Sequence, residues 1–180
     1  MSGKIFEVGF PRTGTTSLCD AMRLLGVRAT STLLVDGARP FGERPLHARE
    51  MFQKWLTGRF DFSVMDEYEY IGAAFFPIFE RIDQWVPDSR FILTVRDPGR
   101  WLRSIRAFMD SERPLDLDGP VELDIRMVVR LMATGSLNTV DDAQLLEAYE
   151  RHNRRVRDHF AGTDRLLVMD VCAGDGWEKL

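Results

Sequence analysis

Lysine is nearly missing from this chain: Lys4, Lys54 and Lys179 are the only lysines among 24 cationic side chains, and the other 21 are arginines. Cysteine is equally scarce. Cys19 and Cys172 stand far apart and in no metal-ligand spacing, which fits a reducing, cytoplasmic compartment better than a disulfide framework. No uninterrupted apolar run approaches the length of a bilayer-crossing helix, and the few apolar residues before Pro11 do not make a secretory signal. Neither a membrane partner nor export is therefore expected. Positive charge is not in excess either: the net charge is −4, which gives no electrostatic footprint for nucleic acid.

The chain does have enough apolar residues for a full core, 44% of 180, and that length predicts one domain. The stretch that organises it is KIFEVGFPRTGTTSL, residues 4–18. Ile5, Phe6 and Val8 predict a buried strand, Gly9 and Pro11 break it, and Thr13 to Ser17 supply N–H and hydroxyl donors where a first helix begins. Helix N-termini attract anions, so this reads as a phosphate-binding turn. The spacing from Gly9 to Gly14, Thr15 and Thr16 copies the nucleotide-binding P-loop, except that Thr15 stands where that motif needs its lysine. Losing the lysine argues against phosphoryl transfer from a nucleoside triphosphate. Arg12 supplies a cation from inside the loop, and its planar fork of donors suits a phosphate or sulfate oxygen pair. Taken alone, the stretch also fits a Gly-rich turn without a ligand.

Further along, Leu18, Met22 and Leu25 continue the first helix to Gly26, and Val27–Thr30 reads as a short strand. Residues 36–46 form a Gly- and Pro-punctuated loop, Leu46–Leu56 an amphipathic helix, and Phe60–Met65 a strand running into Asp66, Glu67, Tyr68, Glu69 and Tyr70. Carboxylates at a strand's C-terminal end sit where open α/β sheets place ligands. Phe75, Phe76, Phe79, Ile82 and Val86 share one side of the next helix, with Pro77 in its first turn.

A second signal follows at FILTVRDPGRWLRSI, residues 91–105. An apolar strand delivers Arg96, Asp97 and Pro98; Asp97 suits an N-cap and Pro98 the first helical position. Arg96 at the strand end and Ser104 about two turns into the helix are spaced to reach one anion. The alternative for the pair is a surface ion pair and a small packing residue. Beyond an acidic loop over 110–120, Val121–Ala133 and a longer stretch starting at Asp141 or Asp142 read as helices. His152 falls on the apolar stripe of the second, as a core residue with its polar needs met, and the neighbouring arginines make a solvated face. Leu166–Val171 is the last strand. Asp170 to Gly176 only superficially suggests a methyl-donor glycine turn, since no further βαβ unit follows it.

GFPRTGTTSL at 9–18, FILTVRDPGRWLRSI at 91–105 and the closing LLVMDVCAGDGWEKL together resemble the sulfotransferase family that uses 3′-phosphoadenosine 5′-phosphosulfate, PAPS, and in particular its bacterial-type members. The resemblance implies that Arg12, Thr13, Gly14, Thr15, Thr16 and Ser17 hold the donor's 5′-phosphosulfate, and that Arg96 and Ser104 bind its 3′-phosphate. It implies in-line displacement at sulfur by a hydroxyl or amine of a small-molecule acceptor, with PAPS as co-substrate and no metal. Cytosolic members place a histidine base at the end of the strand before the Arg-bearing one; that position looks like Asp66 here, with Glu67 as runner-up. Asp66 serving only to orient Arg12 or cap a helix is the alternative. Many members carry lysine where this chain has Arg12, and relatives continue through a full helix beyond the position of Trp177.

The expectation is thus an α/β three-layer sandwich with a mainly parallel sheet and a P-loop-like first turn, one sulfotransferase-like domain over 1–180 with its C-terminal helix in question. Two other readings stay open: a P-loop small-molecule or nucleotide kinase, and a non-catalytic anion-binding relative. Neither the acceptor nor the oligomeric state is legible.

Overall fold

The computed structural model describes residues 3–30, 68–72, 75–110, 125–136 and 138–180. The expected loop 36–46, helix Leu46–Leu56, strand Phe60–Met65 and, beyond Asp110, the acidic loop over 110–120 lie outside them.

Five parallel strands form one sheet. They are β1 (Ile5–Glu7), β2 (Ala29–Thr30), β3 (Tyr70–Ile71), β4 (Arg90–Thr94) and β5 (Leu166–Met169), in the order β2-β3-β1-β4-β5. β1 registers Ile5 on Tyr70 on one side and Phe6 on Phe91 on the other; β4 registers Phe91 on Leu166. Because side chains alternate along a strand, β1, β3, β4 and β5 each feed two cores, while β2 adds Ala29 to one of them. Phe6, Val8, Ile71, Phe91 and Leu93 belong to the larger one, while Tyr70, Ile92 and Met169 join the smaller.

The helix α1 (Thr15–Leu24) supplies Leu18, Cys19 and Met22 to the smaller core. The larger core takes the apolar stripes of α2 (Phe79–Trp85), α3 (Pro98–Met109), α4 (Ile125–Thr134) and α5 (Asp142–His159). Helices thus cover both faces of the sheet, and the architecture is the expected three-layer α/β sandwich, with every described strand parallel. None of the described helices is long and apolar enough to cross a membrane.

Local chemistry sets the helix boundaries. The Asp97 carboxylate accepts from Arg100 N at 2.8 Å, with Pro98 beginning α3. At α5, Asp141 and Gln144 cap each other's backbone N–H groups in a reciprocal box, which selects Asp141 as the cap and Asp142 as the first helical residue. Several boundaries differ from expectation. α1 starts at Thr15, within the Thr13–Ser17 stretch expected to begin it, and left-handed Gly14 turns the chain into it. Pro77 sits in a separate single turn, Phe76–Ile78, before α2, consistent with the N–H it lacks. β5 ends at Met169 rather than Val171: Asp170 caps a turn at Ala173 N, and its own N–H goes to the Asp175 carboxylate instead of a ladder.

A candidate anion-binding site at the switch point

β1 and β4 are neighbours, but the connections after them lead to opposite edges of the sheet: β2 and β3 lie beyond β1, β5 beyond β4. In open α/β sheets the crevice beyond the strand ends at such a reversal is where ligands bind. The two motifs singled out in the sequence follow these two strands.

The loop after β1 starts with a forced glycine. A Cβ on Gly9 would lie 2.1 Å from Thr94 Oγ1, 2.5 Å from the Thr94 carbonyl oxygen and 2.7 Å from Glu7 Oε1. That proximity serves a buried polar cluster. Glu7 Oε1 accepts from Gly9 N at 2.8 Å and from the Thr94 hydroxyl at 2.6 Å, and Thr94 Oγ1 lies 2.6 Å from Thr13 Oγ1. Thr13 Oγ1 also donates to the Phe10 carbonyl at 2.6 Å. The Thr13 hydroxyl is therefore committed to the fold, leaving its backbone N–H as its possible contribution to an anion.

Other carbonyls of the loop are likewise engaged from outside it. Val8 O lies 2.7 Å from His152 Nε2, Pro11 O accepts from Trp101 Nε1 at 2.9 Å, and Arg12 O accepts from Arg96 NH1 at 3.1 Å. With Phe10 O bound to Thr13, four carbonyl dipoles of this loop point at donors, not at the crevice. An anion would be repelled by free carbonyls; tying them down leaves the loop's N–H groups to dominate the local field. Arg12 and Gly14 both take left-handed conformations, with φ of 73° and 101°, on either side of Thr13. Alternation of hand is what turns successive N–H groups into an anion-binding concavity.

The N-terminus of α1 completes the cradle. Its cap, Gly14, has no side chain to satisfy the first-turn N–H groups, and no acidic residue occupies that turn. Thr15, Thr16 and Ser17 are the first three helical residues, and Thr16 and Ser17 are exposed. The start of α3 is different, because Asp97 already satisfies it, so an anion there would depend on side chains.

Those side chains are Arg96 and Ser104. Arg12 Nε donates to Ser104 Oγ at 3.2 Å, and the Arg12 guanidinium lies 5.8 Å from the Phe108 ring centre, also on α3. Together with the bond from Arg96 to Arg12 O, this links the two motifs: Arg12, Arg96 and Ser104 form one hydrogen-bonded cluster. The Nε of Arg96 is buried and has no hydrogen-bond partner among the described residues.

Asp66 and Glu67 lie outside the described residues. The described strand beside β1 is Tyr70–Ile71, so Asp66 precedes the N-terminal end of β3 in the chain, and the residue after its C-terminal end is Gly72. β3 itself ends on Ile71, before Gly72, and the roles expected of Asp66 and Glu67 fall on residues outside the described ones.

Two residues escaped the sequence reading. Trp101 and Tyr149 count among apolar stripe residues, yet Trp101 bonds to the loop after β1 and the Tyr149 hydroxyl bonds to the backbone of Arg96. Burial raises the Tyr149 pKa, so the group stays a neutral hydroxyl. Buried Trp and Tyr normally find partners for their polar atoms, which was the available signal. His152 is core, as expected, with its rings of contact at Phe10, Phe76 and Phe79. Burial lowers its pKa to about 4, so the neutral ring donates Nε2–H to Val8 O; buried Nδ1 has no partner among the described residues, so its polar needs are met at one nitrogen and not, as expected, at both.

No curated protein gives a significant match to the chain. A family model described as a sulfotransferase domain matches residues 4–180, from the start of β1 through the anion cluster to the last turn, and the chain belongs to that sulfotransferase family.

Proposed function

We propose that the protein transfers a sulfuryl group from PAPS to a hydroxyl or amine of a small-molecule acceptor. Family membership supports sulfuryl transfer in general. The observation that carries the donor's identity is the joining of two anion stations at one crevice: the N–H cradle of Thr13 to Ser17, and the Arg96–Ser104 pair linked to it through Arg12. PAPS carries a 5′-phosphosulfate and a 3′-phosphate on one nucleoside, whereas a kinase's ATP has nothing to offer the second station. The buried, unpartnered Nε–H of Arg96 fits such a ligand, since it is a donor lacking an acceptor.

In this reading Gly14, Thr15, Thr16 and Ser17 bind the phosphosulfate through backbone N–H groups and exposed hydroxyls, and Thr13 through its N–H. Arg96 and Ser104 take the 3′-phosphate. The acceptor oxygen or nitrogen attacks sulfur in line, the bond from sulfur to the bridging phosphate oxygen breaks, and 3′-phosphoadenosine 5′-phosphate departs. Arg12 neutralises charge developing on that leaving oxygen, and preorganised N–H groups stabilise the transferring sulfuryl group. The acceptor's proton goes to a base. Asp66 is the proposed base, and Glu67 the runner-up. A cytoplasmic location accords with the two free cysteines.

Calorimetric titration with 3′-phosphoadenosine 5′-phosphate, using 5′-AMP and ATP with magnesium as controls, tests the reading on wild type and Arg96→Ala. Binding that requires both the 3′-phosphate and Arg96 is the expected result. Equal or better binding of ATP with magnesium would overturn it in favour of a kinase. Donor-product binding without turnover on any acceptor would leave the site correct and the activity wrong.

A further inference from the structure

We propose that Tyr149 is a positioning residue for Arg96, so that selectivity for a 3′-phosphorylated nucleotide depends on a hydroxyl that never touches the nucleotide. This rests on the donor reading above.

The geometry is unusual for the end of a strand. The last ladder bond of β4 to its neighbour runs from Val95 N to Met169 O, at 2.8 Å, and β5 stops there. Arg96 is the next residue and has lost its strand partner. Its N–H instead donates to Tyr149 Oη at 2.8 Å, and Tyr149 Oη donates back to the Arg96 carbonyl at 2.8 Å. One hydroxyl thus uses its lone pair and its proton on both backbone groups of a single residue, which fixes the two dihedrals that aim the side chain.

The hydroxyl is itself held rigidly. Tyr149 is 1% exposed, and its ring stacks on Trp101 with centroids 4.3 Å apart and planes 13° from parallel. Trp101 in turn bonds to Pro11 O, and the capping box at Asp141 anchors the start of the helix that carries Tyr149. At its far end the Arg96 guanidinium is tied to Arg12 O, leaving buried Nε–H unclaimed. A long arginine normally loses much rotamer freedom when it grips a ligand. Held at both ends, Arg96 has surrendered that freedom on folding, and the gain appears as affinity for the anion. A phenylalanine would fill the same space and keep the stack, and would leave the Arg96 peptide unheld; the polar atom at position 149 is therefore explained by the arginine it aims.

The test is Tyr149→Phe in two backgrounds. In the wild-type background, affinity for 3′-phosphoadenosine 5′-phosphate falls roughly tenfold, as expected for losing about one net hydrogen bond of preorganisation. Affinity for 5′-AMP stays the same, and with PAPS the KM rises while kcat changes far less. In the Arg96→Ala background the same substitution leaves 3′-phosphate discrimination unchanged. A loss of equal size in both backgrounds, or for both nucleotides, makes Tyr149 merely structural and overturns the proposal. So does a silent Tyr149→Phe when Arg96→Ala abolishes discrimination. If Arg96→Ala itself leaves discrimination intact, the donor reading has failed and the proposal falls with it. Amide hydrogen exchange on the unmutated protein provides a check that needs no variant: the Arg96 amide is protected although it lies past the ladder, and exchange at the free-chain rate would contradict the clamp.

Discussion

Trp101 Nε1 donates to the carbonyl of Pro11 at 2.9 Å, tying the first turn and a half of α3 to the loop that leaves β1. The bond spans the switch point, so the two halves of the candidate site are mechanically one. The Trp101→Phe variant keeps an aromatic against Tyr149 but strands the Pro11 carbonyl and leaves part of the indole volume empty. It should lose roughly 2–4 kcal/mol of stability in urea denaturation. Loss under about 0.5 kcal/mol would mean that water or a neighbour replaces the bond.

His152 makes stability depend on pH. Its folded-state pKa is lowered, by burial first of all, to about 4 from 6.5. As pH falls through 6.5 the unfolded chain takes up a proton that the folded chain refuses until about 4, so stability drops across that window and levels off below it. The full loss is on the order of 3 kcal/mol. Denaturation midpoints measured between pH 7 and 4 should show this slope, and His152→Phe should flatten it while lowering stability at pH 7 by stranding the Val8 carbonyl.

Gly9 admits no side chain. Thr94's backbone carbonyl, which cannot rotate aside, would lie 2.5 Å from the new Cβ of Gly9→Ala. The substitution should therefore prise β1 from β4 at their ligand-facing ends and cost more than about 3 kcal/mol, read as a lowered thermal midpoint or failure to accumulate in soluble form. A variant with an unchanged midpoint would show that the Glu7–Thr94–Thr13 cluster has room to rearrange.

The strongest signals were legible because local chemistry and global placement agree. FILTV followed by Arg96, Asp97 and Pro98 specifies a strand, a cap and a helix start in eight residues, and all three are present. The turn from Gly9 to Gly14 was equally readable, since glycines and a proline punctuate it. β3 was not. Two residues, Tyr70 and Ile71, lie within a polar run, and their strand identity comes from the neighbours they pair with. The joining of the two candidate anion stations was hidden for a different reason: Arg12 and Ser104 are 92 residues apart, and only the packing of α3 across the loop after β1 brings them together. Trp101 and Tyr149 read as core because periodicity reports which face a residue occupies and is blind to the polar atom at its tip.

Arg12 adopts a φ of 73°, a conformation that glycine takes freely and that costs a side-chain-bearing residue about 1–2 kcal/mol. Two variants separate that cost from the chemistry. Arg12→Ala keeps the strain and loses the guanidinium; Arg12→Gly loses both. Against the usual ranking of alanine above glycine, the glycine variant should be the more stable by about 1 kcal/mol in denaturant titration. Both should lose affinity for 3′-phosphoadenosine 5′-phosphate alike. The converse ranking would mean that the left-handed turn at residue 12 is imposed without strain.

Position 12 is thus a standing compromise between durability and work. A breeding scheme that rewarded heat resistance alone would replace its arginine with glycine and return a sturdier protein without the guanidinium proposed to grip the donor. A scheme that rewarded turnover would keep the arginine and leave the protein nearer its melting point. The loop therefore marks the place where a thermostabilised version of this protein should be left untouched.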